Sequence, residues 1–279
     1  MQGEGLKEET APDRAAQVRV GTMGWGYSDW NGGFYPSDAG SRDSISLYAT
    51  AFDIVEIDST FYGTPRENQV KQWGRSTPPN FLFCPKAPRL ITHDMGLVDV
   101  MEPLKIFVRT MGLLGEKRGP MLLQMPPAFT HAQLPALQRF LPTLAELEDP
   151  DARFAIEFRH RSLISPEVSA LLAEFGVALA NVDYALMPRR FEITADFLYM
   201  RLIGRHGAFP QHRERQADRS KDMERWAGAL KANAARYRAA YVFCNNDYEG
   251  YSPATANTFK TLLGLPIHNP PTAIQGSLF

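Results

Sequence analysis

Short apolar runs rich in β-branched and aromatic residues alternate along the chain with longer stretches of helical spacing or composition. The runs are VRVGTMGW (18 to 25), DIVEIDSTF (53 to 61), FLFCPKAP (81 to 88), MLLQMPP (121 to 127), RFAIEFRH (153 to 160), ALANVD (178 to 183), FLYMRLIG (197 to 204) and AAYVFCNND (239 to 247). Helix-prone segments fall near 43 to 52, 66 to 76, 97 to 115, 133 to 149, 165 to 175, 219 to 235 and 253 to 264. The connection between the sixth and seventh runs is too short for a regular helix. Strands that alternate with helices pair in parallel through crossovers, and eight of them close most economically into a (β/α)8 barrel, an α/β fold. An open doubly wound sheet would instead carry GxGxxG after its first strand; GTMGWGYSDWNGG has glycines without that order. With no internal repeat and no dividing linker, one barrel domain is expected over 18–264. A flexible N-terminal tail (1–17) precedes it, and a Pro-containing C-terminal tail (265–279) follows.

One run breaks the apolar pattern. In FAIEFRH, Phe154, Ile156 and Phe158 fall on one face of a strand, and Ala155, Glu157 and Arg159 on the other. Charges inside a barrel wall need a partner or a ligand, because an unpaired buried ion costs several kcal/mol, roughly.

Composition narrows the partners. The chain has 279 residues, 44% of them hydrophobic, and a formal net charge of −1. No global positive field points to nucleic acid, so any such contact rests on a local patch. Cys84 and Cys244 sit inside apolar runs without a CxxC pair, which suggests reduced thiols and a cytoplasmic location. No stretch approaches the roughly 20 apolar residues of a bilayer span, and the acidic opening is not a signal peptide.

Side chains at the carboxyl ends of barrel strands line the site. Those ends offer Glu56 and Asp58, Lys86, Gln124, Glu157 and Arg159, Asp183, Tyr199 and Arg201, then Asn245, Asn246 and Asp247. Glu56, Asp58, Glu157 and Asp247 are the candidate acids, bases or nucleophiles; the others, with Trp25 and Tyr27 of the first loop, are candidate binding residues. The alternative is that the charges neutralise one another in structural bridges. So many ionisable groups at one rim favour a site for a polar, anionic ligand. The loop after the seventh run adds Arg205, Arg213, Arg215, Arg219, Lys221 and Arg225, where barrels often hold phosphate. The cofactor is unknown. A divalent metal finds no support in ligand spacing: Glu157, Asp183 and His93 could donate, yet no HxH or HExxH occurs and arginines stand nearby. No GxSxG elbow marks a serine nucleophile.

The chain ends in IQGSLF, where Gln275, Leu278 and Phe279 form a Q-x-x-L-F pattern. An extended peptide can seat such a Leu-Phe pair in an apolar pocket. The pattern resembles the motif by which bacterial repair and replication proteins dock on the DNA sliding clamp, with Gly276 where Leu is usual.

GTMGWGYSDWNGGFYP, FDIVEIDSTFYGTP, FLFCPKAPRLITH, LLQMPPAF, FAIEFRH, YMRLIG and YVFCNNDYEGY, in this order over 18 to 264, resemble the family called domain of unknown function 72, or YecE-like. The resemblance implies a TIM barrel related in shape to xylose isomerases and endonuclease IV type nucleases; it does not imply an activity. Asp58 stands where the family pattern has Asn, and Ile203 where it has His. Glu157 and Asp183 match metal-ligand positions of the relatives, but Arg201 and Asn245 occupy the next two strand ends, so a full metal set is not implied.

Three functions remain in view. The first is a nucleic-acid-processing phosphoesterase or hydrolase of the DNA-repair type, binding a phosphate-bearing ligand at the carboxyl face and recruited by its tail. The second is a sugar or sugar-phosphate isomerase, epimerase or hydrolase using paired carboxylates. The third is a non-catalytic nucleic-acid-binding adaptor.

Overall fold

The computed structural model describes residues 16–40 and 44–271. The first five runs form β1 (Gln17–Met23), β2 (Ile54–Ile57), β3 (Leu82–Pro85), β4 (Met121–Gln124) and β5 (Phe154–Glu157). The sixth is divided at Ala180 into β6 (Ala178–Leu179) and β7 (Asn181–Asp183); the last two form β8 (Phe197–Leu202) and β9 (Ala239–Cys244). Between them lie α1 (Ser44–Tyr48), α2 (Glu67–Arg75), α3 (Met101–Gly112), α4 (Leu134–Thr143), α5 (Pro166–Glu174) and α6 (Ser220–Ala232). A single turn, α7 (Asn246–Glu249), precedes α8 (Ser252–Leu263) and was not expected. The connection from β7 to β8 carries no helix; Asn181 holds it by bonding both the N–H and the C=O of Glu192 at 2.8 and 2.9 Å.

Every strand pairing is parallel. The order β3-β2-β1-β9-β8-β7 makes one arc of the wall and β4-β5-β6 another. The bridges Phe83 to Arg118 and Lys86 to Leu122 join the arcs on one side. On the other side β6 and β7 are one strand interrupted at Ala180, so the wall closes into the expected barrel.

Two apolar layers hold it. Phe154, Ile156 and Phe158 pack outward with the helices, whereas Ala155 joins Ile54, Leu122, Ala178, Phe197, Tyr199 and Phe243 inside the barrel. This is the alternation that FAIEFRH announces, and it sends Glu157 inward. Between β1 and β2 the backbones approach closely at Gly21, where an added Cβ would stand 2.1 Å from the Ile54 carbonyl oxygen. The Tyr48 phenol fills the divergence beside it, accepting from Thr22 N at 2.9 Å and donating to Ile54 O at 3.0 Å. Helix starts are conventional: in α5 the Ser165 hydroxyl caps Val168 N at 3.3 Å and Pro166 takes the first position.

Residues 1–15 and 272–279 hold most of both expected tails, including Gln275, Leu278 and Phe279, and lie outside the described residues. Among the described residues no helix is long and apolar enough to cross a membrane.

Candidate functional site

The centre of the carboxyl end of the barrel is Arg201, on β8 and only 3% exposed. Its Nη2 donates to Glu56 Oε1 at 2.7 Å and its Nη1 to Glu157 Oε2 at 2.6 Å. The guanidinium therefore bridges two fully buried carboxylates from opposite arcs of the wall. Tyr199, one layer below, donates its hydroxyl to Glu56 Oε2 at 2.7 Å. Arg159 Nε donates to Glu157 Oε1. Beneath the bridge, Arg201 Nη2 and Asn245 Nδ2 both meet Met23 Sδ, at 3.3 and 3.4 Å.

The two carboxylates are driven apart in acidity. Burial pushes the Glu56 carboxyl up to about 7, against the pull of Arg201 and with help from Asp58. Burial acts on Glu157 too, yet Arg201 and Arg159 outweigh it and hold that carboxyl below its ordinary range. Separation of this kind lets one acid keep a proton near neutrality while its neighbour stays charged.

Above the bridge the groups are less satisfied. Lys86, just past β3, has a side chain 12% exposed, with Nζ 4.2 Å from the centre of the Phe61 ring. Its nearest acid, Asp58 Oδ1, is 3.7 Å away, beyond hydrogen-bond reach. Among the described residues Nζ has no hydrogen-bond acceptor. Asp58 Oδ1 is likewise buried without a hydrogen bond, and it stands 3.8 Å from Arg201 Nη2. Burial and the Arg201 charge lower the Lys86 pKa, with Asp58 opposing. Arg159 lies over the Tyr184 ring at 4.6 Å, and its Nη1 and Nη2 have no hydrogen-bond partner among the described residues.

His93 completes this layer, and sequence reading placed it only among weak metal candidates. It stands on a π-helical turn, Leu90–Asp94, followed by Leu97 and Asp99 with φ of 67° and 53°. Both are left-handed conformations that non-glycine residues rarely adopt, and such turns recur at functional sites. Its Nδ1 meets Thr92 Oγ1 at 2.9 Å, and its ring stands edge-on to Phe61. Partial burial, then Lys86 and Arg89, lower its pKa, so at pH 7 the imidazole is neutral with Nε2 available.

Other expected site residues face elsewhere. Asp183 pairs in register with outward-facing Leu202 and points to the helices, where it accepts from Trp226 Nε1 at 3.0 Å and the Tyr248 hydroxyl at 2.9 Å. Arg189 neutralises it at 3.1 Å. Asn246 Oδ1 accepts from Ser252 N, Ser252 Oγ and Trp30 Nε1, fastening the first loop to α8. Asp247 is directed to the loop after β8, accepting from Gly207 N at 3.1 Å, with its Oδ1 buried and unpartnered. Gln124 is buried beside Glu157 and bonds Met125 O. Asn245 caps α7 through Asp247 N, and Tyr199 lies too deep to touch a ligand at the rim. Tyr27 is half-buried and donates to Met23 O, and Trp25 packs edge-on against Trp73; Trp30, Phe34 and Tyr35 are core.

Three of the six cations in the basic loop are paired with acids, and Arg205, Lys221 and Arg225 make no ion pair among the described residues. Arg215 pairs with buried Glu249 at 2.5 Å, Arg219 with Asp222 at 3.5 Å and Arg213 with Asp29 at 4.0 Å. Among the described residues no three His, Cys, Asp or Glu side chains gather as metal ligands. Asp183 points away and His93 stands among cations, so the three donors considered from the sequence do not converge.

Comparison with known proteins agrees with the barrel. The chain is 32% identical over 147 residues to UPF0759 protein YecE of Escherichia coli (strain K12), and 29% identical over 157 residues to UPF0759 protein YunF of Bacillus subtilis (strain 168). Each match covers 53% of this chain and 53% of the relative, so the chain spans about half the length of the curated relatives it matches. The crystal structure of a DUF72 family protein from Thermotoga maritima MSB8 superposes with a TM-score of 0.76 at 29% identity, covering 89% of this chain and 99% of that one. One from Enterococcus faecalis V583 shares the fold at 20% identity, with a TM-score of 0.74 over 93% of this chain and 100% of that one. The model of the family described as protein of unknown function DUF72 matches residues 19–275, and the chain belongs to that family.

Proposed function

We propose that the barrel mouth binds a small ligand through an anionic, phosphate-bearing group held by Lys86 and Arg159, beside groups able to move a proton. The observation that carries this reading is the Lys86 ammonium, largely buried and without a hydrogen-bond acceptor among the described residues. An ammonium on a largely buried stem with no acceptor of its own is poorly compensated, and an incoming oxyanion supplies the missing hydrogen bonds. The local charge agrees. Lys86, Arg159 and Arg201 face Asp58, Glu56 and Glu157, and Glu56, raised to about 7, is partly protonated at neutral pH. Asp58 and His93 are the groups positioned to exchange protons with a bound molecule; Glu56 lies one layer behind them.

A small ligand is better supported than a nucleic-acid strand. Aromatics of the first loop are mostly packed into the core, and three of the six cations after β8 are paired with acids. The paired-carboxylate mechanism of glycoside hydrolysis needs two carboxyls flanking an open gap. Here Glu56 and Glu157 are joined through Arg201, which argues against that mechanism in this form.

Titration calorimetry with inorganic phosphate tests the reading. Lys86→Ala and Arg159→Ala should each weaken binding about tenfold or more, and affinity should fall with added salt. Absence of phosphate binding at low salt, or unchanged affinity in both variants, would end it. Recruitment to the DNA sliding clamp through Gln275, Leu278 and Phe279 is a separate proposal on the sequence pattern. Clamp pull-down that persists after deletion of residues 275–279 would remove it.

A further inference from the structure

Beside the anion site lies a cleft of about 540 Å³ that the reading above does not use. Its wall includes Trp25, Tyr27, Asn31, Ile57, Asp58 and Tyr62. The size is that of a small-molecule site. The turn Ser59–Tyr62 separates it from Lys86: Phe61 carries the ammonium, and Tyr62, in edge contact with Phe61, borders the cleft. Asp58 belongs to both sides, 3.7 Å from Lys86 Nζ and part of the cleft wall.

The chemistry of the wall restricts the occupant. No Lys, Arg or His is among the described residues that line it, so none of those residues offers a second anion a counter-charge. A purely apolar guest would bury Asp58, Asn31, Ser28 and Ser59 against carbon, at the cost of unmet polar groups. Aromatic faces mixed with short acceptors and hydroxyls suit a ring that is apolar on its faces and edged with O–H donors. Asp58 turns Oδ1 toward Lys86 and Arg201, and the rest of its carboxylate, on a side chain 35% exposed, can accept such a hydroxyl. Tyr62 at the rim is 85% exposed, leaving a ring free to close over a guest.

We propose that the cleft is the subsite for a sugar ring, whose phosphate reaches past the Ser59–Tyr62 turn to Lys86 and Arg159. The ligand is then a pentose or hexose phosphate, with Asp58 accepting a ring hydroxyl at the junction. The inference rests on the anion reading above and adds the class of molecule.

The full chain would be titrated with glycerol 3-phosphate, which has hydroxyls and a phosphate but no ring, and with a panel of pentose and hexose phosphates. At least one sugar phosphate is expected to bind about tenfold tighter or more than glycerol 3-phosphate. Tyr62→Ala removes an exposed ring, and Gly26→Leu fills the cleft from a position where an added Cβ meets nothing within 4 Å. Both should erase that advantage and leave glycerol 3-phosphate affinity unchanged. Equal affinities across the panel, or an advantage that survives both substitutions, would overturn the sugar subsite while the anion site stands. If no phosphate compound binds, the anion reading fails and the sugar phosphate with it.

Discussion

At Lys86 the proposed ligand binding and the stability of the fold would oppose each other at a single residue. Its side chain is largely covered, and the ammonium has only a distant acid and an aromatic ring for company. Replacing it with an apolar side chain of similar length removes the desolvation cost, as sites kept unsatisfied for binding often reveal. Lys86→Met should therefore raise the stability measured by urea unfolding, by about 1 kcal/mol, while phosphate binding is lost. A destabilised Lys86→Met protein would mean that the ammonium is a structural tie.

Glu56 makes a prediction of the opposite kind. Its carboxyl is raised on folding from 4.5 to about 7, so the folded state retains a proton that the unfolded chain has released. The stabilising contribution is full below about 4.5 and declines as pH rises through 7. Glu56→Gln lacks this dependence. The stability difference, wild type minus variant, should fall by on the order of 3 kcal/mol between pH 4 and pH 8. A difference that stays flat across that range would exclude the raised carboxyl.

These charged residues were legible because each follows an alternating strand whose other face is plainly apolar. Asp183 was not: in ALANVD the apolar face, Ala178, Ala180 and Val182, turns into the barrel, and the more polar face with Asn181 and Asp183 turns to the helices, the reverse of the arrangement at Glu157. The orientation of His93 was also hidden, because a π-helical turn leaves no periodic trace in sequence.

At the level of elements, the strand positions were readable to within a few residues, and most helices were read too long. Amphipathic spacing continues past the last hydrogen-bonded turn wherever a loop residue also packs inward. Leu114 after α3, and Leu144 after α4, extend the pattern in this way. Close strand approach was not legible, because a glycine inside a strand looks like any weak position. Gly21 is such a case: its missing Cβ lets β1 lie against the Ile54 carbonyl. Gly21→Ala should push β1 from β2, disturb the Tyr48 hydrogen bonds and cost about 3 kcal/mol or more in thermal unfolding. Wild-type stability in this variant would show that the strands have room to separate.

For the whole molecule, the alternation of strand and helix gave the barrel, but not how evenly its wall is joined. The strands β4, β5 and β6 pair among themselves and meet β3 only through isolated bridges, while the strand that includes β6 and β7 is broken at Ala180. Units of this kind open together below the global unfolding energy. Amide protons of Leu122, Leu123, Ala155 and Ile156 should exchange faster under native conditions than those of Val20, Val242 and Met200 in the longer arc. Uniform protection around the wall would contradict the two-arc description.

Arg201 and Glu56 stand on the longer arc and Glu157 on the shorter one, so the bridge between them works as a clasp on a split hoop. Whatever loosens that clasp should also let the hoop spring apart. Acid is one such agent: Glu157, held below its ordinary range, contributes above about 4.5 and loses its grip as the medium falls through its lowered pKa. The short arc should then detach more readily in acid, although the charge responsible lies at the carboxyl end of the barrel, beside the proposed ligand site.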